Sequence, residues 1–353
     1  MRTTLEVWTA AFAIGVVALL AGCSGAGSQS STSTIPNSVT TQTQARAFRN
    51  FILPSGVDTR YARATYIASA SLPAQRAPDA RLDNPMHRKK VEKDLFVCCA
   101  SDSGIAVLKD KTYKEVREIT SGLDSPDGVW VDKHGNVYVA NVSGPNVTEY
   151  KPGASSPSCT YSTGLFDPIN VTTDDVGNVY VADFNDLKNP GYIYKYAQCS
   201  NTISTSYSVS SGPEGVAVDK SGDIFVSYDT TSFTGAFEEF KGGSSTPTPL
   251  GATDGSPGGL ILDQSGNLIA DDQKGSIDVI APPYSGATTL VGGLSDPFHC
   301  SLNQKENLLF NANNGSANVT VYSYPSGTLV TTLGSANDIK YGMGVGESPD
   351  AVF

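Results

Sequence analysis

The sequence predicts an all-β fold, a six-bladed β-propeller of four-stranded blades over residues 93–353, and three observations support it. First, one unit recurs. Asp94 opens DLFVCC, Asn136 opens NVYVAN, Asn178 opens NVYVAD, Asp223 opens DIFVSY, Asn267 opens NLIADD and Asn307 opens NLLFNA, at steps of 42, 42, 45, 44 and 40 residues. A period of that size holding several short β segments is that of a propeller blade. Second, 35 glycines, frequent Ser, Thr and Asn, and only 17% charged residues suit a chain of strands and turns better than one of helices. Third, runs such as VYVA are apolar without strict alternation, as expected of strands whose two faces both pack on neighbours.

Taken in chain order, residues 1–22 read as a signal peptide. Arg2 precedes an apolar run of 14 residues, TAAFAIGVVALLAG, which is too short to span a bilayer comfortably. The tetrad Leu20-Ala21-Gly22-Cys23 resembles the bacterial lipoprotein box, and that resemblance implies cleavage before Cys23 and lipid on its thiol. The expected address is therefore the bacterial cell envelope, with the propeller exported and membrane-anchored through Cys23; Ser24 resembles the sorting pattern for an outer membrane. Residues 23–46, rich in Ser, Thr and Gln, bury too little to fold and are expected to be a flexible tether. Residues 47–92 form a pre-propeller segment to which the sequence assigns no role.

Within a repeat the pieces are legible. In the second, GVWVD is the inner strand, KHGN a tight hairpin, VYVAN the second strand, NVTEYKP the third and SCTYST the outermost. The hairpin glycines Gly135, Gly177, Gly222 and Gly266 supply the positive φ such turns need. Glu306 replaces the glycine in the sixth repeat, so a different turn is expected there. The first repeat lacks its own inner strand. YGMGVGESP, residues 341–349, is the candidate to supply it and close the ring, with DAVF at 350–353 as a competing strand start.

The segments PDGVWVDKHGNVYVAN, PINVTTDDVGNVYVAD and PEGVAVDKSGDIFVSY resemble the NHL-repeat propellers and, more distantly, the SMP-30/gluconolactonase superfamily. The resemblance covers residues 93–349 and implies a six-bladed propeller. It implies little about activity, because propellers host many unrelated functions.

A site is expected on the face where loops enter the inner strands and leave the second strands. The entry positions are Asp127, Ile169, Glu214, Gly258, Phe298 and Met343, with Asn170 and His299 one place on. The exit positions are Cys99, Asn141, Asp183, Tyr228, Asp272 and Ala312, with Asp229 and Asp271 adjacent. The candidate ligand or metal face is thus Asp127, Asn141, Asn170, Asp183, Glu214, Asp272 and His299. Such oxygen-rich sets suit Ca²⁺. The superfamily resemblance implies a divalent metal held by a Glu, Asn and Asp set, and Asp127 and Asn170 match two of its members. No early Glu motif is visible, and Gly258, Phe298 and Met343 offer no side-chain oxygen.

Other chemistry is sparse. Asp132, Asp174, Asp219 and Asp263 recur on the opposite face as turn residues, with no EF-hand spacing around them. Of three histidines, His87 precedes the first blade and His134 sits in a hairpin, leaving His299. There is no Gly-x-Ser-x-Gly, no His-Glu-x-x-His and no phosphate loop. Trp130, in an inner strand, reads as core. Cys159 and Cys199 lie in the outer parts of consecutive blades and are the candidate disulfide, whereas Cys98 and Cys99 read as buried thiols. A formal charge of -11 argues against nucleic acid, the one basic run at Arg88 to Lys90 being short.

The leading expectation is a monomeric, non-catalytic binding or scaffold module whose partner is a protein or glycan. The alternative is a divalent-metal-dependent lactonase or esterase working at the Asp127 mouth. A passive envelope protein without a ligand is the third reading.

Overall fold

The computed structural model describes residues 94–99, 104–185, 190–232, 234–337, 339 and 342–347. The signal peptide, Cys23, the tether, the 47–92 segment and the DAVF terminus lie outside the described residues. Among those described, no helix is long and apolar enough to cross a membrane.

Six four-stranded antiparallel sheets make the six blades. The first carries β1 (Asp94–Cys99), β2 (Gly104–Lys109) and β3 (Glu115–Ile119). The second is β4 (Pro126–Val131), β5 (Val137–Asn141), β6 (Asn146–Tyr150) and β7 (Cys159–Tyr161), and the third β8 (Pro168–Thr173), β9 (Val179–Asp183), β10 (Tyr192–Tyr196) and β11 (Ile203–Ser208). The fourth holds β12 (Gly212–Val218), β13 (Ile224–Asp229), β14 (Gly235–Phe240) and β15 (Thr248–Asp254). The fifth has β16 (Pro257–Leu262), β17 (Leu268–Asp272), β18 (Ser276–Ile280) and β19 (Thr288–Gly292). The sixth has β20 (Pro297–Leu302), β21 (Leu308–Asn313), β22 (Asn318–Ser323) and β23 (Thr328–Leu333).

The last described strand, β24 (Val345–Glu347), completes the first blade from the inside. It pairs with β1 through Leu95↔Glu347, Phe96↔Gly346 and Val97↔Val345. The Gly342–Glu347 stretch thus supplies the missing inner strand, and the ring is closed by hydrogen bonds between the two ends of the disc. The apolar cores lie between blades rather than within them. Leu95, Val97 and Val345 of the first blade, for example, pack on Phe310, Val319 and Val321 of the sixth. Strands such as β5 are therefore buried at every residue, which is why their sequence does not alternate.

The hairpin between first and second strands repeats one device. Asp132 Oδ1 accepts the N–H groups of His134 and Asn136, and its Oδ2 accepts the Asn136 side-chain amide. Asp174 and Asp263 repeat all three bonds. These aspartates satisfy turn donors and hold the hairpin's shape. In the sixth blade Asn303 takes the role, and its backbone pairs with Leu308 rather than with the fourth residue on, lengthening the turn by one residue. Glu306 stands there at φ +49°, and its carboxylate accepts the Gln264 N–H of the neighbouring blade's turn.

Close approach of inner strands sets the packing limit. A Cβ on Gly344 would sit 2.0 Å from the Asp127 carbonyl oxygen, whereas one on Gly286 meets nothing within 4 Å. Gly344→Ala is therefore expected to destabilise by about 2 kcal/mol or more in chemical denaturation, and Gly286→Ala to stay within about 0.5 kcal/mol of the parent.

Candidate functional site

Each inner strand from the second to the sixth blade opens with a proline or Gly-Pro and then slips register, for example between Pro126 and Val129 and between Pro297 and His299. These bulges turn the following residues toward neighbouring inner strands. In order around the ring, the second residue after the proline is Gly128, Asn170, Gly215, Gly259 and His299, and Gly344 takes the corresponding place before β24. Four glycines allow the crowding. A Cβ on Gly128 would lie 2.6 Å from the Ile169 oxygen, one on Gly215 2.6 Å from the Leu260 nitrogen, and one on Gly259 2.5 Å from His299 Nδ1.

The two positions that keep a side chain belong to opposite blades, and they meet. Asn170 Nδ2 lies 3.0 Å from His299 Nδ1, and His299 Nε2 lies 3.1 Å from Asp127 Oδ1. An amide nitrogen only donates, so Nδ1 accepts; the ring proton then sits on Nε2, which donates to the Asp127 carboxylate. The His299 ring is thereby oriented between a donor and an acceptor. The Phe298 ring packs on it edge-on at 4.6 Å between centroids. The three side chains are nearly closed from solvent, at 4% exposure for Asp127, 9% for Asn170 and 3% for His299. Chemically, this is an oriented imidazole with both nitrogens engaged, joining blades two, three and six across the axis. Glu214 occupies the corresponding bulge in β12 and is fully buried.

The remaining candidates fasten loops. Asn141 Oδ1 accepts the Asp124 N–H, Asp183 Oδ1 accepts those of Phe166 and Asp167, and Asp272 Oδ1 accepts that of Ser256. Each ties the end of a second strand to the loop entering the same blade. In the sixth blade the residue at this place is Asn313, opposite Pro297, and not Ala312; the longer Asn303 turn shifts the strand by one residue. Like Asn141, which bonds Asn146 and Thr148, Asn313 bonds Asn318 and Thr320.

Two groups among the described residues gather three potential metal-ligand atoms within 4.8 Å, and Asp127 is in neither. One is Glu149 with Cys159 and Cys199, whose sulfurs are joined in a disulfide with Cα atoms 5.3 Å apart. That bridge links β7 of the second blade to the turn before β11 of the third. The other is Asp254, Asp272 and Asp278 at the rim of blades four and five. There, burial and then the Asp272 charge push the Asp254 carboxyl up to about 8. Cys98 is buried, its thiol donating to the Pro126 carbonyl, and Trp130 is half-buried with its indole N–H on Thr173 Oγ1.

No protein-family model matches the chain, and no curated protein matches it by sequence. Solved structures do match. A chain of a nidogen/laminin complex aligns at TM-score 0.60 and 16% identity, covering 72% of this chain and 98% of that one. A protein of unknown function from Desulfotomaculum acetoxidans aligns at 0.54 and 14%, covering 73% and 100%. Hydrazine synthase of Kuenenia stuttgartiensis aligns at 0.53 and 15%, covering 69% and 83%. At such identities these likenesses establish the fold alone.

The bridge makes a quantitative expectation. His299→Ala takes a partner from two buried polar groups and is expected to cost about 2–4 kcal/mol in urea unfolding. Asp127→Asn, whose amide oxygen still accepts from Nε2, is expected to cost less than half as much.

Proposed function

We propose that this protein is an exported, lipid-anchored propeller that serves as a rigid binding or scaffold module for a protein or glycan partner. The observation that carries the reading is the Asp127–His299–Asn170 bridge. The polar groups best placed to act on a substrate at the axis are hydrogen-bonded to one another and lock three blades together. A disc closed in this way presents its loops and outer strands as fixed surfaces, which lowers the ordering cost of binding. Two features support the address: the Leu20–Cys23 lipobox resemblance and the Cys159–Cys199 disulfide, which suits an oxidising compartment.

The second reading, a metal-dependent lactone or ester hydrolase, draws on the carboxylate and imidazole that meet on the axis. It requires Asp127 to exchange its bond to His299 for a metal.

Metal content and melting of the purified protein, with and without chelator and added Ca²⁺, Zn²⁺ or Mn²⁺, separate the two. The scaffold reading expects no stoichiometric metal at Asp127 and no lactone or ester turnover. A metal lost together with turnover in Asp127→Ala would overturn it in favour of the hydrolase. For the anchor, Cys23→Ala is expected to move the protein from the membrane to the soluble fraction and to abolish incorporation of labelled fatty acid.

A further inference from the structure

The outer strands β3, β7, β11, β15, β19 and β23 stand at the ends of their sheets and pair on one side only. Such an edge is a template for another strand, and folds guard it with charge, proline, shortness or cover. Four of the six are guarded in these ways. β3 carries Glu115, Arg117 and Glu118, β7 has three residues and begins at the disulfide, and β15 contains Pro249 and Asp254. β19 is crowded by the blade-six turn, where a Cβ on Gly327 would lie 2.7 Å from the Leu290 oxygen. β11 shows solvent only Ser and Thr as fully exposed side chains.

β23, TLVTTL, has six residues with neither charge nor proline, and its Leu329 and Val330 are 55% and 51% exposed. Successive side chains of a strand point to opposite faces, so apolar surface is bare on both faces of this edge. The far end of β23 reaches the first blade, where Leu333 shares a core with Leu95 and Val97 of β1. Second and fourth strands of a blade run the same way, since each is antiparallel to the third. β23 and β1, in neighbouring blades, therefore open on the same face of the disc, at Thr328 and Asp94.

The chain that leads into Asp94 carries a stretch of matching character. Residues 64–74, ATYIASASLPA, which lie outside the described residues, hold no charged side chain. Thr65, Tyr66 and Ile67 are strong strand formers, and Pro73 ends the run. Residues 73–93 can extend over about 70 Å, against about 15 Å for three strand spacings within a blade. An attached segment also meets the edge at a far higher effective concentration than a separate molecule does.

We propose that residues 65–72 add to the free edge of β23 as an antiparallel fifth strand of blade six, so that the chain's own amino-terminal segment caps this edge. Backbone hydrogen bonds supply the pairing, and the side chains on either face of the added strand cover Leu329 and Val330. The polypeptide ahead of residue 65 then leaves the disc at the rim of blade six rather than at β1.

The test is hydrogen exchange of β23 in the full chain, corrected for intrinsic rate, in the parent and in the double variant Tyr66→Pro with Ile67→Pro. Successive N–H groups point to opposite sides of a strand, so this pair deletes one ladder donor whatever the register. In the parent, the β23 amides that do not bond β22 are expected to exchange at least about tenfold slower than their intrinsic rate. The double variant is expected to lose that protection while the other blades keep theirs, and Gln75→Pro, beyond the strand, is expected to match the parent. Unprotected amides in the parent, or protection that survives the double variant, would overturn the proposal. Protection that rises with protein concentration, together with a dimer in light scattering, would overturn it in favour of a second copy on the edge. If the double variant does not fold, deletion of residues 64–72 is measured by the same criteria.

Discussion

The disc depends on how closely six inner strands approach one axis. Backbone crowding there leaves room for a side chain at only two of the six places after the opening bulges, and the other four are glycine. Because the two side chains stand in opposite blades, they fill the centre and bond to each other. Asp127, one residue earlier in its own bulge, supplies the acceptor that fixes the imidazole tautomer. The same steric limit that makes the ring tight therefore decides which polar groups meet.

The blades were legible in the sequence because most of them share one turn. In blades two, three and five an Asp accepts two backbone N–H groups, a glycine takes positive φ and an Asn answers the Asp, and blade four keeps the Asp and the glycine. The closing strand was legible too, since Gly-Met-Gly-Val resembles the start of the other inner strands. The sixth blade was read one residue out of register. Asn303 can cap a longer turn, and nothing in the letters NQKEN announces the extra residue, so Ala312 stood in for Asn313.

The candidate face was legible only as a mixture. Asp127, Asn170 and His299 were named beside Asn141, Asp183 and Asp272, yet the first three join blades and the last three each tie a loop to its own blade. The distinction rests on contacts between residues 129 and 172 positions apart, which no local pattern encodes.

The pairing of β24 with β1 also bears on when the protein can finish folding. A chain made amino terminus first delivers β1 early and β24 last among the described strands, and until β24 is available the first blade has no inner member. The five complete blades can form locally from consecutive residues, but the ring cannot shut until β24 pairs with β1. Assembly thus has a built-in end point: five blades can stand complete while the disc is still open, and the pairing of β24 with β1 is the act that seals it.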